Sequence, residues 1–175
     1  MRLATPPRRG PRRTHAGLTL IELIVAIAVL AIVTTVGLPN YQRFSARNEV
    51  AAEVLRLKTA LAKARSVAIT RRTQVTLCPT STLSECDVAG GWGNTLAIFV
   101  GNGSTGDAEL LRTFGDSRVD SLSYRNDNLP VRYGALGRAG GHFGTFRICG
   151  KFEEGARVIV NIMGRVRVEP ERPTC

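Results

Sequence analysis

The stretch that decides the fold runs from Gly17 to Pro39 and reads GLTLIELIVAIAVLAIVTTVGLP. Between Leu18 and Leu38 the one ionisable side chain is Glu22. A helix over this segment is about 31 Å long, which matches the roughly 30 Å hydrocarbon core of a bilayer. The segment therefore predicts a membrane-spanning helix, since it is longer than the apolar core of a cleaved secretory signal.

The basic residues are distributed unevenly along the chain. The protein has 175 residues, with 24 Lys+Arg against 14 Asp+Glu and a formal net charge of +10. Residues 1–17 contain arginines but no acid, so about half of the net charge lies in the first tenth of the chain. By the positive-inside rule, this flank stays in the cytoplasm and the chain after Pro39 lies outside it.

Apolar residues continue at helical spacing beyond the membrane segment. Their intervals of three and four residues predict an amphipathic helix to about Thr70, with one stripe packed on the domain that follows. Charged side chains, Arg56 among them, are assigned to the other faces of this helix. The stripe consists of Val50, Val54, Leu57, Leu61, Ala64 and Ala68.

After Arg72 the pattern changes to short strands separated by Gly, Asn, Asp and Pro, as in antiparallel sheets. The predicted class is α+β: one long N-terminal helix, transmembrane and then amphipathic, packed on an antiparallel β-sheet domain. The predicted divisions are a leader (1–17), a transmembrane half-helix (18–38), an amphipathic half-helix (39–72) and a β domain (73–175). The predicted strands are Thr73–Cys78, Leu96–Val100, Leu110–Phe114, Ser121–Tyr124, Val131–Tyr133, Thr145–Cys149, Arg157–Ile162 and Val166–Val168.

Four cysteines are compatible with an oxidising compartment outside the cytoplasm. Cys78 and Cys86 enclose a short segment, and Cys149 could pair with Cys175, although four cysteines allow three pairings. No C-x-x-C spacing occurs, and of the two histidines one lies in the leader. The sequence therefore predicts no metal site.

The sequence has few residues in patterns that are typical of catalytic sites. The glycine-rich stretch 134–144 lacks the G-x-G-x-x-G and Walker patterns, so a turned loop is the favoured interpretation. Ser104 lacks the first glycine of a nucleophile elbow. We predict no enzymatic activity and no cofactor.

Gly164-Arg165-Val166-Arg167 follows an apolar strand and predicts a glycine turn with a second strand. Residues two apart in a strand project from the same face, so the two arginines would lie together while the valines face the core. Two guanidinium groups about 6–7 Å apart could bind successive DNA phosphates. From geometry alone, an ordinary charged strand face, paired with Glu169 or Glu171, is favoured.

The N-terminus resembles the processing site of type IV prepilins and type II secretion pseudopilins. The resemblance is carried by a short basic leader, Gly17, Glu22 and the apolar length. It implies that a prepilin peptidase cleaves after Gly17 and methylates Leu18, where phenylalanine is usual in the family. It also implies that Glu22 pairs with the N-terminal amine of a neighbouring subunit, and that Pro39 kinks the helix.

The order of later features narrows the resemblance to the FimT/GspH minor pilins. FimT-type members bind DNA for natural transformation through a Gly-Arg-x-Arg motif, which implies DNA contacts at Gly164, Arg165 and Arg167, with Arg147 and Arg157 as auxiliaries. GspH-type members instead act by protein contacts in a type II secretion pseudopilus. The features are the Ala64-Arg65 helix end, the strand to Cys78, Gly91-Trp92-Gly93 and Gly164-Arg165-Val166-Arg167.

The resemblance also implies partners and a location. The partners are other pilin or pseudopilin subunits, the prepilin peptidase, inner-membrane lipid and DNA, bound non-specifically through phosphates. The expected location is the inner membrane, with a single pass and a periplasmic C-terminal domain that becomes extracellular in a pilus.

Overall fold

The computed structural model describes residues 17–104, 108–125 and 129–169. The chain divides into two compact units, with the boundary between Pro39 and Asn40.

The first unit contains an apolar helix, α1 (Leu20–Ile32). The Thr19 hydroxyl caps its N-terminus by accepting the backbone N–H of Glu22 at 3.3 Å. In the described part of the chain, the helical run Leu20–Arg71 is the one stretch long and apolar enough to cross a membrane.

The helical run is irregular just before Pro39. A π-helical segment (Val33–Gly37) separates α1 from α2 (Leu38–Arg71). Proline has no N–H for the carbonyl four residues earlier and its ring crowds that carbonyl. The hydroxyls of Thr34 and Thr35 donate to carbonyls of the preceding turn at 2.9 and 2.8 Å. The long helix predicted from Leu18 to about Thr70 is therefore observed from Leu20 to Arg71, with π-helical hydrogen bonding just before Pro39.

One face of α2 is buried along most of its length. The predicted stripe lies on this face, with Val54 half-buried at its edge. Spacing of three and four residues brings these positions onto one side of a helix. The exception among small and apolar residues is Glu53. The buried residues of α2 are Ala46, Val50, Glu53, Leu57, Ala60, Leu61, Ala64 and Ala68.

The rest of the domain forms two four-stranded antiparallel sheets. Each strand overlaps one predicted from the sequence, which confirms the α+β assignment. The strands are β1 (Val75–Pro79), β2 (Leu96–Val100), β3 (Leu110–Phe114), β4 (Ser121–Ser123), β5 (Val131–Tyr133), β6 (Gly144–Cys149), β7 (Gly155–Val160) and β8 (Val166–Glu169). The strand orders are β3-β2-β1-β5 and β4-β6-β7-β8.

The core contains residues of α2 and of both sheets. Aromatic rings fill part of it: the centroid of Trp92 lies 4.8 Å from Phe146 and 5.1 Å from Tyr124, both in edge-on geometry. Such edge-to-face pairs add to the free energy gained from burial alone. Trp92 is the only tryptophan of the chain and is 4% exposed, so its fluorescence reports on this core.

A disulfide joins Cys78 at the end of β1 to Cys86 in the following loop, with a Cα–Cα distance of 5.5 Å. Cys149 is also disulfide-bonded. Its predicted partner, Cys175, lies outside the described residues. The first bridge ties the loop after β1 back to the sheet.

Arg56 does not decorate a solvent face of α2, so this prediction was wrong. Its side chain is 13% exposed and pairs with Glu53, which is 3% exposed, at 2.9 Å. Ser117 donates its hydroxyl to the Glu53 carboxylate at 2.9 Å. Arg56 also donates to the carbonyls of Trp92 and Gly115. Arg56 therefore provides hydrogen-bond donors to two loops that pack over α2. These loops cover Glu53 and Arg56, which explains why both side chains are buried.

Candidate nucleic-acid interface

The β7–β8 hairpin carries the two predicted DNA-binding arginines. Val160 and Val166 face each other across the antiparallel pair. The turn is closed by the Gly164 N–H, which donates to the Asn161 carbonyl at 2.8 Å, and the Asn161 side-chain oxygen accepts the Arg165 N–H at 2.8 Å. Gly164 has a φ of +73°, a left-handed conformation that glycine adopts without steric cost.

Exposure alternates along the segment that leaves this turn. Arg165 and Arg167 are exposed, whereas Val166 and Val168 are half-buried and pack against the core. Successive side chains of a strand point to opposite faces, so both guanidinium groups project from the outer face of the sheet. The structure therefore places the two arginines together, as the strand pattern predicts.

The two auxiliary arginines lie on the same face. The register places Arg157 of β7 opposite both Arg147 of β6 and Glu169 of β8. Directly opposite residues of an antiparallel pair have Cβ atoms about 4.5–5.5 Å apart. Arg147 is exposed and Arg157 is half-buried. Together, Arg147, Arg157, Arg165 and Arg167 form what we call the arginine face.

The carboxylate of Glu169 lies within the arginine face. It accepts the Arg167 Nη2 at 2.6 Å, and its other oxygen lies 3.5 Å from the Nη2 of Arg157. Within residues 17–104, 108–125 and 129–169, the side chains of Arg165 and Arg147 have no hydrogen-bond or ion-pair partner. Among the residues named here, four arginines and one glutamate sum to a formal charge of +3.

Gly164 also lies against a second loop. A Cβ at Gly164 would collide with the carbonyl oxygen of Gly137 and lie 3.0 Å from the Tyr133 ring. Arg65 of α2 donates from Nε to the same carbonyl at 3.0 Å and from Nη2 to the Met163 carbonyl at 3.3 Å. The glycine is therefore required both for the turn and for the close approach of two backbones.

Burial raises the pKa of the Tyr133 phenol above its usual range, although the neighbouring Arg65 acts in the opposite direction. The ring beneath the turn therefore stays uncharged at neutral pH, and the positive charge belongs to the arginines around it. Sequence reasoning used Arg65 only as a mark of the helix end. The one sequence feature that could have indicated this role of Arg65 is its position between Ala64 and Ala68, where small residues leave room for a neighbouring segment.

The predicted processing residues lie at the start of the described chain. Gly17 and Leu18 precede α1, and Glu22 lies in its first turn; all three are exposed. Their roles in cleavage, methylation and assembly stay predictions.

Most of the glycine-rich stretch 134–144 forms the connection from β5 to β6, which contains one 3₁₀ turn, Gly140–His142, and Gly144 begins β6. In the part of the chain that the structure describes, no group of three or more His, Cys, Asp or Glu side chains is placed to hold a metal ion.

Comparison with known proteins identifies the family. The model described as "Type II transport protein GspH" matches residues 53–164, which include most of α2, β1–β7 and the turn at Gly164. The chain belongs to the GspH family. The model of the "prokaryotic N-terminal methylation motif" matches residues 12–38. The GspH match ends directly before Arg165, so it does not cover the two exposed arginines.

Individual relatives of this GspH-family chain are pilins. Two proteins of Pseudomonas aeruginosa, each described as "Fimbrial protein", are 30% identical over 134 residues, which is 67% of this chain and 84% of theirs. A crystal structure of the type IV minor pilin FimU of Pseudomonas aeruginosa superposes with a TM-score of 0.58 at 25% identity, covering 75% of this chain and 97% of that one.

A second crystal form of FimU gives a TM-score of 0.57 at 22% identity, covers 71% of this chain and 97% of that one, and shows the fold alone. The apolar N-terminal helix and the methylation motif fit a membrane-anchored pilin. The GspH-family chain is therefore a type IV pilin-like minor pilin or pseudopilin.

Proposed function

We propose that this protein is a minor type IV pilin that assembles into or at the tip of a pilus and binds extracellular DNA for natural transformation. The observation that carries the proposal is the arginine face, where the sheet register brings four arginines to one side of a sheet and leaves Arg165 and Arg147 without a side-chain partner among the described residues. Arg165 and Arg167 are the principal contacts, and Arg147 and Arg157 are auxiliaries.

The geometry suits a repeating phosphate backbone. Arg165 and Arg167 lie two residues apart on an extended segment, so their side chains emerge about 6–7 Å apart, close to the spacing of successive phosphates. Guanidinium groups bind phosphate oxygens through two parallel N–H donors. Contacts of this kind position DNA without reading its bases, so binding is sequence-independent and weakens with salt.

A second candidate is a minor pseudopilin of type II secretion that acts by protein contacts only. The observation in its favour is Glu169, which already pairs with Arg167 and Arg157 as in an ordinary charged strand face. The two candidates differ in phenotype. Loss of transformation with intact protein secretion supports the DNA-binding pilin, and the reverse result supports the pseudopilin.

The double variant Arg165→Ala/Arg167→Ala is expected to bind duplex DNA about tenfold more weakly or worse at about 50 mM salt, because two phosphate contacts are lost. The slope of log K against log salt should become shallower by about 1.8, since each phosphate contributes about 0.9. The measurement is fluorescence anisotropy of a labelled duplex with the full-length protein in detergent, repeated over a salt series.

The matched control is Arg118→Ala, an exposed arginine in the connection from β3 to β4. It removes one positive charge outside the arginine face and should leave binding nearly unchanged. Glu169→Gln tests the same surface in the other direction: it frees Arg167 and removes a repulsive charge, so affinity should rise. Equal affinities for wild type and the double arginine variant would overturn the site.

The processing proposal concerns the N-terminus. We expect a prepilin peptidase to cleave between Gly17 and Leu18, so the mature protein begins with N-methylated Leu18 and loses leader 1–17. Segments 18–38, 39–72 and 73–175 then serve as membrane helix, amphipathic stem and periplasmic domain. Mass spectrometry of the N-terminal peptide of the membrane-extracted protein measures this directly.

Glu22→Ala keeps the cleavage site and is expected to leave processing intact, while it abolishes incorporation into filaments because the partner of a neighbour's terminal amine is gone. The readout is the amount of the protein in sheared pili relative to membranes. A mature N-terminus upstream of Leu18, or normal incorporation of Glu22→Ala, contradicts the pilin assembly scheme.

A further inference from the structure

The loop before β6, residues 134–142, is interlocked with the turn that presents Arg165. The N–H of Ala139 donates to the carbonyl of Ile162 at 3.1 Å, and the carbonyl oxygen of Gly137 touches the backbone of Gly164. Arg65 links the loop and the turn, because it donates hydrogen bonds to the Gly137 carbonyl of the loop and to the Met163 carbonyl of the turn. The relative position of the two segments is therefore set by backbone contacts.

This interlock places a further arginine beside the arginine face. Arg138 follows Gly137 and Arg165 follows Gly164, and consecutive Cα atoms are about 3.8 Å apart. The Cα atoms of Arg138 and Arg165 consequently lie within about 14 Å of each other, which is about two phosphate steps along one DNA strand. A single strand can therefore reach both side chains.

Arg138 lines a cavity of about 430 Å³ together with Gln74, Arg132 and His142. Its side chain is exposed and has no hydrogen-bond or ion-pair partner in the described ranges. Arg132 is held in place because its Nε and Nη2 donate to the Thr76 hydroxyl at 3.3 Å and to the Asn102 carbonyl at 3.1 Å. Its other N–H groups make no such bond in the described structure.

The charge of this cavity has one sign. Two arginines line it, and none of the described residues that line it is an aspartate or glutamate. A guanidinium already held by neutral acceptors loses little conformational entropy when it binds an anion. Among the described residues, the cavity thus combines one guanidinium held by protein acceptors and one without a partner, and no carboxylate lines it, unlike β8, where Glu169 competes.

We propose that this cavity, which we call the Arg138 cavity, is a second phosphate-binding site. Its ligand is a phosphodiester of the same DNA strand that lies on the arginine face, so the strand continues from β8 across the loop before β6. This inference rests on the proposed DNA-binding function and extends its footprint from one sheet face to the adjoining loop. Arg138 is the principal contact of the cavity, with Arg132 in support.

The test compares Arg138→Ala with Arg118→Ala in the full-length protein in detergent. Arg138→Ala should weaken duplex binding about three- to tenfold at about 50 mM salt and make the salt slope shallower by about 0.9, because one phosphate contact is lost. Arg118→Ala removes the same charge elsewhere and should change neither value. Arg138→Lys should recover most of the slope, since an ammonium still displaces a counterion.

Trp92 fluorescence during urea unfolding should be the same for Arg138→Ala and wild type, which separates lost binding from lost folding. If Arg138→Ala binds as Arg118→Ala does while Arg165→Ala/Arg167→Ala binds more weakly, the Arg138 cavity is overturned and the proposed function stands. If the wild-type protein does not bind DNA, the proposed function itself fails.

Discussion

Arg56→Ala is expected to lower the free energy of unfolding of the globular domain by about 3–5 kcal/mol, because it leaves the Glu53 carboxylate buried without its cation. The carboxylate is 3% exposed, so water cannot replace the lost partner. The substitution also removes donors to the carbonyls of Trp92 and Gly115, which attach two loops to α2. Trp92 is therefore a local probe of the damage.

The measurement is urea unfolding of the full-length protein in detergent, followed by Trp92 fluorescence. The matched control is Arg71→Ala, which breaks the pair with Glu109 at 2.8 Å between side chains that are 47% and 58% exposed. Exposed pairs contribute about 0–1 kcal/mol, so this variant should lose little.

The double variant Glu53→Leu/Arg56→Met removes both charges and should recover most of the lost stability, since well-packed apolar residues often replace buried ion pairs at little cost. A loss below about 1 kcal/mol for Arg56→Ala would show that the pair is not the anchor inferred from its burial.

Gly164→Ala is expected to destabilise the domain by about 2–5 kcal/mol. A left-handed backbone costs a residue with a Cβ about 1–2 kcal/mol, and crowding a well-packed contact adds about 1–3 kcal/mol. Here the crowding atom is the carbonyl oxygen of Gly137, which belongs to the backbone and cannot rotate away as a side chain could. Thermal unfolding followed by Trp92 fluorescence measures the loss.

Gly141→Ala is the matched control, because a Cβ there meets nothing within 4 Å and its φ lies outside the left-handed region. It should stay within about 0.5 kcal/mol of wild type. Gly164→Ala should also bind DNA more weakly although it removes no charge, since Arg165 and Arg138 no longer keep their spacing. Wild-type stability and affinity in Gly164→Ala would contradict both the steric argument and the interlock.

Much of the fold could be predicted from local pattern. The change from helical to alternating periodicity after Arg72 marks where α2 ends, and all eight described strands overlap predicted ones. Hydrophobic periodicity determines which face of an element is buried, and glycine and proline mark the turns between elements. Strand ends differed by a few residues because pairing partners, rather than local sequence, decide where a ladder stops.

The exposure of Arg165 and Arg167 could be predicted for the same reason, since a strand with Val166 and Val168 toward the core must present its arginines outward. Which ion pairs these arginines form could not be predicted from the sequence. Glu169 lies two residues after Arg167 in the strand but also contacts Arg157 of β7, and that contact depends on the register between the two strands.

The sequence by itself determined the apolar N-terminal helix, the amphipathic stem, the antiparallel strands and the outward direction of the two motif arginines. Each of these follows from the spacing of residues close along the chain. Only the tertiary structure decided that Glu53 and Arg56 form a buried pair and that Gly164 is pressed against Gly137. It also decided that Arg138 lies beside Arg165. The last two contacts join segments that are distant in sequence. Glu53 and Arg56 are only three residues apart, but their burial depends on which distant segments cover them.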